Sequence, residues 1–179
     1  MSSFKLFCPN DILLLHGWGR LWSSVGYYFD SPLSTFLKQH FRLKTFEELG
    51  VSEEIRRAIE ELGFEHPMPV QEEVIPYLLG NGNDVIALAQ TGTGKTAAFG
   101  IPLLQRTDPN SRTTQAIVIS PTRELCLQIA DDLKSFAKYI KGINIVAVYG
   151  GTSIINQIHA LKHGAQIIVA TPGRLIDLM

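Results

Sequence analysis

The stretch from Ala89 to Thr96, with the sequence AQTGTGKT, constrains the fold of this 179-residue chain more than any other. It follows an apolar run, DVIAL at residues 84–88, that predicts a buried strand. It precedes AAFGIPLL at residues 97–104, which predicts the first turns of a helix. A strand, a glycine-rich turn, Lys-Thr and a helix form the pattern of a phosphate-binding loop. The sequence therefore predicts an α/β fold with a site for a phosphorylated ligand at this turn.

Each residue type in the loop suits that chemistry. Gly92 and Gly94 allow a tight turn and let backbone N–H groups approach a phosphate. The helix that begins here adds unpaired N–H groups and a positive dipole end. Lys95 supplies a compact charge for the outer phosphates, and the Thr96 hydroxyl suits a Mg²⁺ ligand. The rest of the predicted nucleotide-binding loop consists of Ala89, where the general pattern has glycine, and of Gln90, Thr91 and Thr93.

Composition limits the compartment and the partners. Hydrophobic residues make up 45% of the chain, as in ordinary globular proteins. Because the formal net charge is −1, a nucleic-acid partner would have to be bound by a local surface. Cys8 and Cys126 have no metal-like spacing, so we expect a reducing, cytoplasmic location and no zinc site. No uninterrupted apolar stretch is long enough to span a membrane.

The first 42 residues differ from the rest of the chain. They carry both tryptophans, Trp18 and Trp22, among several phenylalanines. This segment is either an amphipathic anchor or partner-binding arm, or a poorly structured extension, and we favour the extension. The expected division of the chain is an extension at 1–42, a connecting region at 43–72 and a partial α/β domain at 73–179.

Beyond residue 43, helical and strand patterns alternate. Apolar runs predict strands at 116–120, 144–149 and 166–170, and amphipathic stretches at 124–140 and 153–161 predict helices between them. Earlier helices are expected from residue 52 and over about 70–79. This alternation predicts a parallel sheet covered on both faces, a three-layer arrangement in which ligands bind at the carboxyl ends of the strands.

Two of these strand ends share a spelling, Ser-Pro-Thr-Arg at 120–123 and Thr-Pro-Gly-Arg at 171–174. Proline suits the first helical position, and the first-turn N–H groups together with arginine attract phosphate. The alternative is that proline and arginine only cap helices. With the bare backbone of a glycine pair between them, the ends would form a track for a sugar–phosphate backbone, read without regard to base sequence. The predicted nucleic-acid-binding residues are Pro121, Thr122, Arg123, Gly150, Gly151, Thr171, Pro172, Gly173 and Arg174.

Taken together, these motifs resemble the DEAD-box family of ATP-dependent RNA helicases. The resemblance runs from about Lys44 to Met179, the first part of that family's first RecA-like domain. In family terms, GFEHPMPVQ at 63–71 is similar to the Q motif, AQTGTGKT to motif I and PTREL at 121–125 to motif Ia. Gly150-Gly151 is similar to the GG element and TPGRL at 171–175 to motif Ib. The resemblance implies a RecA-like P-loop NTPase fold and a hydrolase that uses ATP and Mg²⁺ and binds RNA.

The resemblance also implies individual roles. Gln71 would hydrogen-bond the adenine edge and Phe46 would stack on the base, while Lys95 and Thr96 would serve catalysis. The family's acidic motif and second RecA-like domain do not occur within these 179 residues. We therefore expect helicase activity from a longer protein and negligible hydrolysis by this chain alone. The alternatives are a non-catalytic ATP- and RNA-binding module, or another P-loop enzyme such as a DNA helicase or a nucleotide kinase.

Overall fold

The computed structural model describes residues 2–6, 43–80, 84–90 and 92–179, the first range through its backbone alone. The predicted extension therefore lies outside the described residues apart from its first strand. The strands are β1 (Ser2–Leu6), β2 (Val85–Ala89), β3 (Ala116–Ile119), β4 (Ile145–Val148) and β5 (Ile167–Ala170). The helices are α1 (Glu53–Glu61), α2 (Pro69–Gly80), α3 (Lys95–Arg106), α4 (Arg123–Phe136), α5 (Ile154–Lys162) and α6 (Pro172–Leu178).

Three strands form the predicted parallel sheet, in the order β3-β5-β4. Ile167 at the start of β5 is in register with Ala116 of β3 and with Ile145 of β4. Every residue of β5 is buried, as expected for a central strand covered on both faces. Because parallel strands end at one edge, the segments that follow β3, β4 and β5 emerge side by side.

The strand that leads into the glycine-rich loop does not join this sheet. Within the described residues, β2 pairs antiparallel with β1, from Ser2 opposite Ala89 to Leu6 opposite Val85. The sequence predicted a single parallel sheet that included β2. The apolar run at 84–88 specifies a strand but not its partner, so this pairing was not foreseen. As a result, Leu88 on β2 and Ile119 on β3 are each 61% exposed.

Helix α3 carries the loop into the centre of the fold. Seven of its twelve residues are buried, and it packs against both α2 and α4. Gly100 lets α4 approach closely, because a Cβ there would lie 2.6 Å from Leu133 Cδ2. Residues from α1, α3, α4 and the parallel sheet share one apolar core, with Ile55, Ile101 and Ile167 among its fully buried members. The start of α3 is therefore held by tertiary packing as well as by its own hydrogen bonds.

Cys126 lies at the contact between α4 and the sheet. Its side chain is fully buried, and its thiol donates to the carbonyl of Val169 at 3.2 Å. Burial raises the pKa of this thiol above its ordinary value. Among the described residues, Cys126 is the one free cysteine.

Polar contacts tie α1 to the segment that follows α4. The Glu61 carboxylate accepts hydrogen bonds from Lys138 Nζ and from the Tyr139 hydroxyl. The Arg57 guanidinium lies over the Tyr139 ring, 4.2 Å from its centroid. These exposed contacts fasten α1 to the segment that follows α4. In the part of the chain that the structure describes, no helix has the length and apolar character needed to cross a membrane.

Candidate nucleotide site and strand-end surface

The glycine-rich loop has the geometry expected of a phosphate cradle. Gly92 and Gly94 have φ angles of +79° and +74°, in the left-handed region that favours glycine. Gly94 is the N-cap of α3, so Lys95 is the first helical residue. The turn therefore delivers the N-terminal N–H groups of a twelve-residue helix to the place where the strand ends. Thr91, predicted to belong to this loop, lies outside the described residues.

The Lys95 ammonium is folded back into the loop. Its Nζ donates to the carbonyl oxygens of Ala89 at 2.8 Å and Gln90 at 2.5 Å. The Thr93 hydroxyl also donates to the carbonyl of Gln90, at 2.8 Å. The cation therefore already lies at the loop. A bound phosphate would replace these carbonyls as its partner, and would gain a charge-assisted bond.

Gln71 connects the Q-motif segment to the loop. The side chain is fully buried, its Nε2 donates to the carbonyl of Gly94 at 3.0 Å, and its Oε1 accepts from the Met68 N–H at 2.9 Å. A Cβ on Gly94 would lie 2.2 Å from Gln71 Nε2, so the contact requires glycine there. The structure thus brings two motifs 23 residues apart into direct contact.

Phe46 lies in the hydrophobic core rather than on an exposed surface of the nucleotide site. It is 5% exposed, and its ring centroid lies 6.5 Å from that of Phe64. Phe64 in turn makes an edge contact with Phe136 at 6.0 Å. Phe46 therefore helps to anchor the segment before α1. Its stacking on adenine stays a prediction.

Thr96 has a partner that the sequence analysis missed. The Asp132 carboxylate of α4 interacts with the Thr96 side chain. Burial raises the pKa of Asp132, and the neighbouring Asp131 raises it further. Asp132 is one of two adjacent aspartates on the polar side of an amphipathic helix, and no sequence signal distinguishes it from Asp131. Its contact with Thr96 depends on the packing of α3 against α4.

Oxygen donors are the ligands that Mg²⁺ prefers, so the Thr96 hydroxyl with Asp132 beside it fits the expected cation. Among the described residues, no group of three or more His, Cys, Asp or Glu side chains could hold a metal. This donor set suits a cation that arrives with a nucleotide and keeps phosphate and water ligands, as Mg²⁺ commonly does.

The strand ends predicted to bind nucleic acid lie next to one another. Arg123, at the start of α4, is exposed, and its guanidinium carbon lies 5.0 Å from the ring centroid of Tyr149. Gly151 has a φ of +80°, and a Cβ there would lie 3.2 Å from Arg123 Nη1. The Arg123 side chain therefore brings the segment after β3 into contact with the turn after β4, although β5 lies between these two strands in the sheet. Pro121, Gly150, Pro172 and Gly173 are exposed on the same sheet edge, and Thr171 is partly exposed.

Helix capping accounts for part of this spelling. The Thr122 hydroxyl oxygen accepts a hydrogen bond from the Leu125 N–H at 3.3 Å, which makes Thr122 the N-cap of α4. Thr171 holds the N-cap position of α6 without such a side-chain bond. The capping alternative named proline and arginine, but the side chain that caps α4 is that of Thr122, and Pro121 precedes the cap. Pro172 does begin α6, as expected for proline at the first helical position.

Arg174 differs from Arg123. Its side chain is 10% exposed, and its guanidinium donates from Nη1 to Gln157 Oε1 at 2.9 Å and from Nη2 to the Thr152 carbonyl at 3.1 Å. Gln157 was not singled out in the sequence, where it lies within the amphipathic pattern of α5. The two arginines of the matching tetrapeptides therefore lie in different environments.

A strand, a left-handed glycine turn and a lysine at the first position of a helix, beside a parallel sheet, define a P-loop nucleotide-binding α/β domain. The sequence matches the DEAD/DEAH box helicase family over residues 68–179, and the chain belongs to that family.

Proteins similar to this chain include named RNA helicases. The chain is 53% identical to "ATP-dependent RNA helicase DeaD" of Haemophilus influenzae over 133 residues, which are 74% of this chain and 22% of the relative. It is 49% identical to "DEAD-box ATP-dependent RNA helicase CshA" of Bacillus cereus over 135 residues, which are 75% of this chain and 25% of the relative. The chain thus spans about a fifth to a quarter of the length of these proteins.

Solved structures give the same result. A DEAD box protein from the hyperthermophile Methanococcus jannaschii matches with a TM-score of 0.70 and 45% identity, over 74% of this chain and 36% of that one. Dbp5 of Saccharomyces cerevisiae bound to RNA and ADP BeF3 matches with a TM-score of 0.67 and 36% identity, over 76% of this chain and 34% of that one. The RecA-like α/β fold expected from the sequence is therefore confirmed.

Proposed function

We propose that this chain is the nucleotide-binding part of an ATP-dependent RNA helicase, which holds ATP at residues 89–96 and an RNA backbone at the ends of β3, β4 and β5. The observation that carries this proposal is the loop itself. Gly92 and Gly94 are in the left-handed region, and Lys95 begins α3 with its ammonium directed into the turn. The family membership supports ATP as the nucleotide, and a cytoplasmic location accords with the buried free thiol.

Different groups at the loop would bind the phosphates, the adenine base and Mg²⁺. The N–H groups at the start of α3 would receive the phosphates, and Lys95 Nζ would leave its carbonyl partners for the outer phosphate oxygens. Gln71 is hydrogen-bonded to the loop at the Gly94 carbonyl. To bind adenine, its amide would exchange one of its two present hydrogen bonds for a bond to the base. Thr96 would be the ligand that this chain gives to Mg²⁺, with the Asp132 carboxylate orienting its hydroxyl, and the bound ion would supply positive charge for the phosphates.

The RNA face would read backbone rather than sequence. Arg123 is the exposed cation at the strand ends, and Gly150, Gly151 and Gly173 leave bare backbone beside it. Phosphate and sugar contacts of this kind fix position without distinguishing bases, so the proposed binding is independent of RNA sequence. Pro121, Thr122, Thr171 and Pro172 would line the same surface.

Hydrolysis and unwinding are assigned to a protein with more of the family's length. The residues that follow β2, β3, β4 and β5 are Gln90, Ser120, Tyr149 and Thr171, none of which is a carboxylate. Phosphoryl transfer in this class of enzyme needs a carboxylate on the metal or the water. We therefore propose that the 179-residue chain binds ATP and releases phosphate negligibly.

Calorimetric titration of the 179-residue chain with ATP and Mg²⁺ tests the proposal. We expect saturable binding that Lys95→Ala weakens by about tenfold or more, since a charge-assisted bond is lost. Lys141→Ala, which removes an exposed lysine in the turn before β4, is the matched control and should bind normally. No heat with ATP and Mg²⁺ from a folded chain would refute the nucleotide assignment. Equal affinity for GTP would refute adenine recognition by Gln71.

A further inference from the structure

The Gln157 side chain joins two of the three strand ends. It lies on α5 and is buried. Its Nε2 donates to the Tyr149 carbonyl at 3.0 Å and to Thr152 Oγ1 at 2.9 Å, and its Oε1 accepts from Arg174 at 2.9 Å. Both hydrogens of the amide and its oxygen are therefore engaged. One side chain spans the turn after β4 and the first turn after β5.

Arg174 completes the connection from the other side. Its second terminal nitrogen donates to the Thr152 carbonyl at 3.1 Å. Its Nε lies 3.8 Å from Asp177 Oδ2, beyond hydrogen-bonding distance. This guanidinium is 10% exposed, and both of its terminal nitrogens already donate to the protein, so it presents little surface to a phosphate. The open Arg123 guanidinium does not face this obstacle.

We propose that Gln157 and Arg174 form a positioning pair that holds residues 149–152 in the shape that receives the RNA backbone, and that Arg174 is not itself a phosphate ligand. This inference rests on the proposed RNA function. The turn carries Gly151 at a φ of +80°, against Arg123. Glycine adopts this conformation and several others with similar ease, so the turn relies on contacts with its neighbours to hold one shape. The pair fixes it at both ends, through the carbonyl of Tyr149 and both oxygens of Thr152.

The salt dependence of RNA binding separates a phosphate ligand from a positioning residue. The 179-residue chain is titrated with a fluorescein-labelled single-stranded uridine oligonucleotide at several salt concentrations. Each phosphate contact to a single strand contributes about 0.7 to the slope of log K against log salt. We expect Arg123→Ala to reduce the slope by about that amount. We expect Gln157→Ala and Arg174→Ala to lower affinity at every salt concentration, about tenfold at most, with the slope unchanged.

The double variant gives a second criterion. Because both residues act through the same turn, Gln157→Ala with Arg174→Ala should cost little more than either change alone. Asn156→Ala removes an exposed amide from the adjacent position of α5 and should bind as the unaltered chain does. A slope reduced by Arg174→Ala as much as by Arg123→Ala, with additive losses, would overturn the proposal. If Arg174→Ala fails to fold, Arg174→Gln, which removes the charge and keeps an amide donor, carries the same slope test.

Hydrogen exchange tests positioning without RNA. Amides of residues 150–153 should exchange faster in Gln157→Ala and in Arg174→Ala than in Asn156→Ala, while the central strand β5 keeps its protection. Unchanged exchange in that turn overturns the pairing. Faster exchange in a chain that binds no oligonucleotide supports the pairing and counts against the proposed RNA function instead. The two claims can therefore fail separately.

Discussion

Gly94 is the residue at which the nucleotide loop leaves least room. Its φ is +74°, and a Cβ would lie 2.2 Å from Gln71 Nε2. Gly92 shares the left-handed backbone, with a φ of +79°, but a Cβ there would meet nothing within 4 Å. A side chain at position 92 would therefore meet backbone strain alone, whereas a side chain at position 94 would meet both backbone strain and steric overlap.

We expect Gly92→Ala to lower the free energy of unfolding by about 1 kcal/mol, for backbone strain alone. Gly94→Ala should lower it by about 1–3 kcal/mol more, because the methyl group displaces the buried Gln71 amide. Urea unfolding of both variants measures the difference, and Gly80→Ala, where a Cβ meets nothing, serves as the control. Equal losses for the two loop variants would show that the Gln71 contact yields without cost.

The sequence identified residues whose roles follow from local pattern, and it missed residues whose partners lie far away along the chain. The left-handed glycines and the lysine of the loop follow from local pattern, and the structure has them as predicted. Gln157 and Asp132 act on partners 17 and 36 positions away, and neither breaks the amphipathic pattern of its own helix. The burial of Arg174 was likewise hidden, because its tetrapeptide matches that of the exposed Arg123.

At the scale of the elements, the Glu61 carboxylate accepts the hydrogen bonds that join α1 to the segment after α4. Hydrogen bonds from Lys138 and then Tyr139 lower the pKa of Glu61 below its ordinary value of 4.5. Since the pKa is lower in the folded state than in the unfolded state, ionised Glu61 stabilises the fold above the unfolded pKa. That contribution is lost as the pH falls through the folded pKa.

We therefore expect Glu61→Gln to lower the thermal midpoint at neutral pH. The difference from the unaltered chain should shrink as the pH falls below the ordinary value of 4.5 and vanish below the folded-state pKa of Glu61. The effect should be small and weaker in high salt, because the pair is exposed. Glu60→Gln, the exposed neighbour on α1, is the matched control. A difference that persists undiminished at low pH would show that the Glu61 charge is not its cause.

Element positions were predictable where apolar runs were strong. β3, β4 and β5 fall within the predicted runs, and α4 and α5 begin within one residue of their predicted starts. The order β3-β5-β4 and the pairing of β2 with β1 were not predicted, because apolar patterning specifies that a segment is a strand and not which strand lies beside it. In the described residues, the strands form two sheets, β1-β2 and β3-β5-β4, instead of the one sheet that was expected.

At the scale of the whole molecule, the separation of the two sheets leaves apolar strand residues in contact with water. On β3, Ile117 and Ile119 are 51% and 61% exposed and lie on one face, since buried Val118 separates them. On β2, Leu88 is exposed to the same degree as Ile119. Exposed apolar strands of this kind favour association between chains.

We expect the 179-residue chain to associate reversibly as its concentration rises, and Ile119→Lys to weaken that association. Sedimentation velocity over a range of concentrations measures it. Ile176→Lys places the same charge on an exposed isoleucine of α6 and should leave the association unchanged. A chain that stays monomeric throughout would show that these strand faces are compatible with water.

The buried thiol of Cys126 can also be used to measure local opening of the domain. An alkylating reagent reaches that sulfur only when α4 separates from the sheet. In a Cys8→Ser background, the rate of labelling would therefore measure the frequency of this local opening. Slower labelling in the presence of ATP would then report ligand occupancy without any added fluorophore.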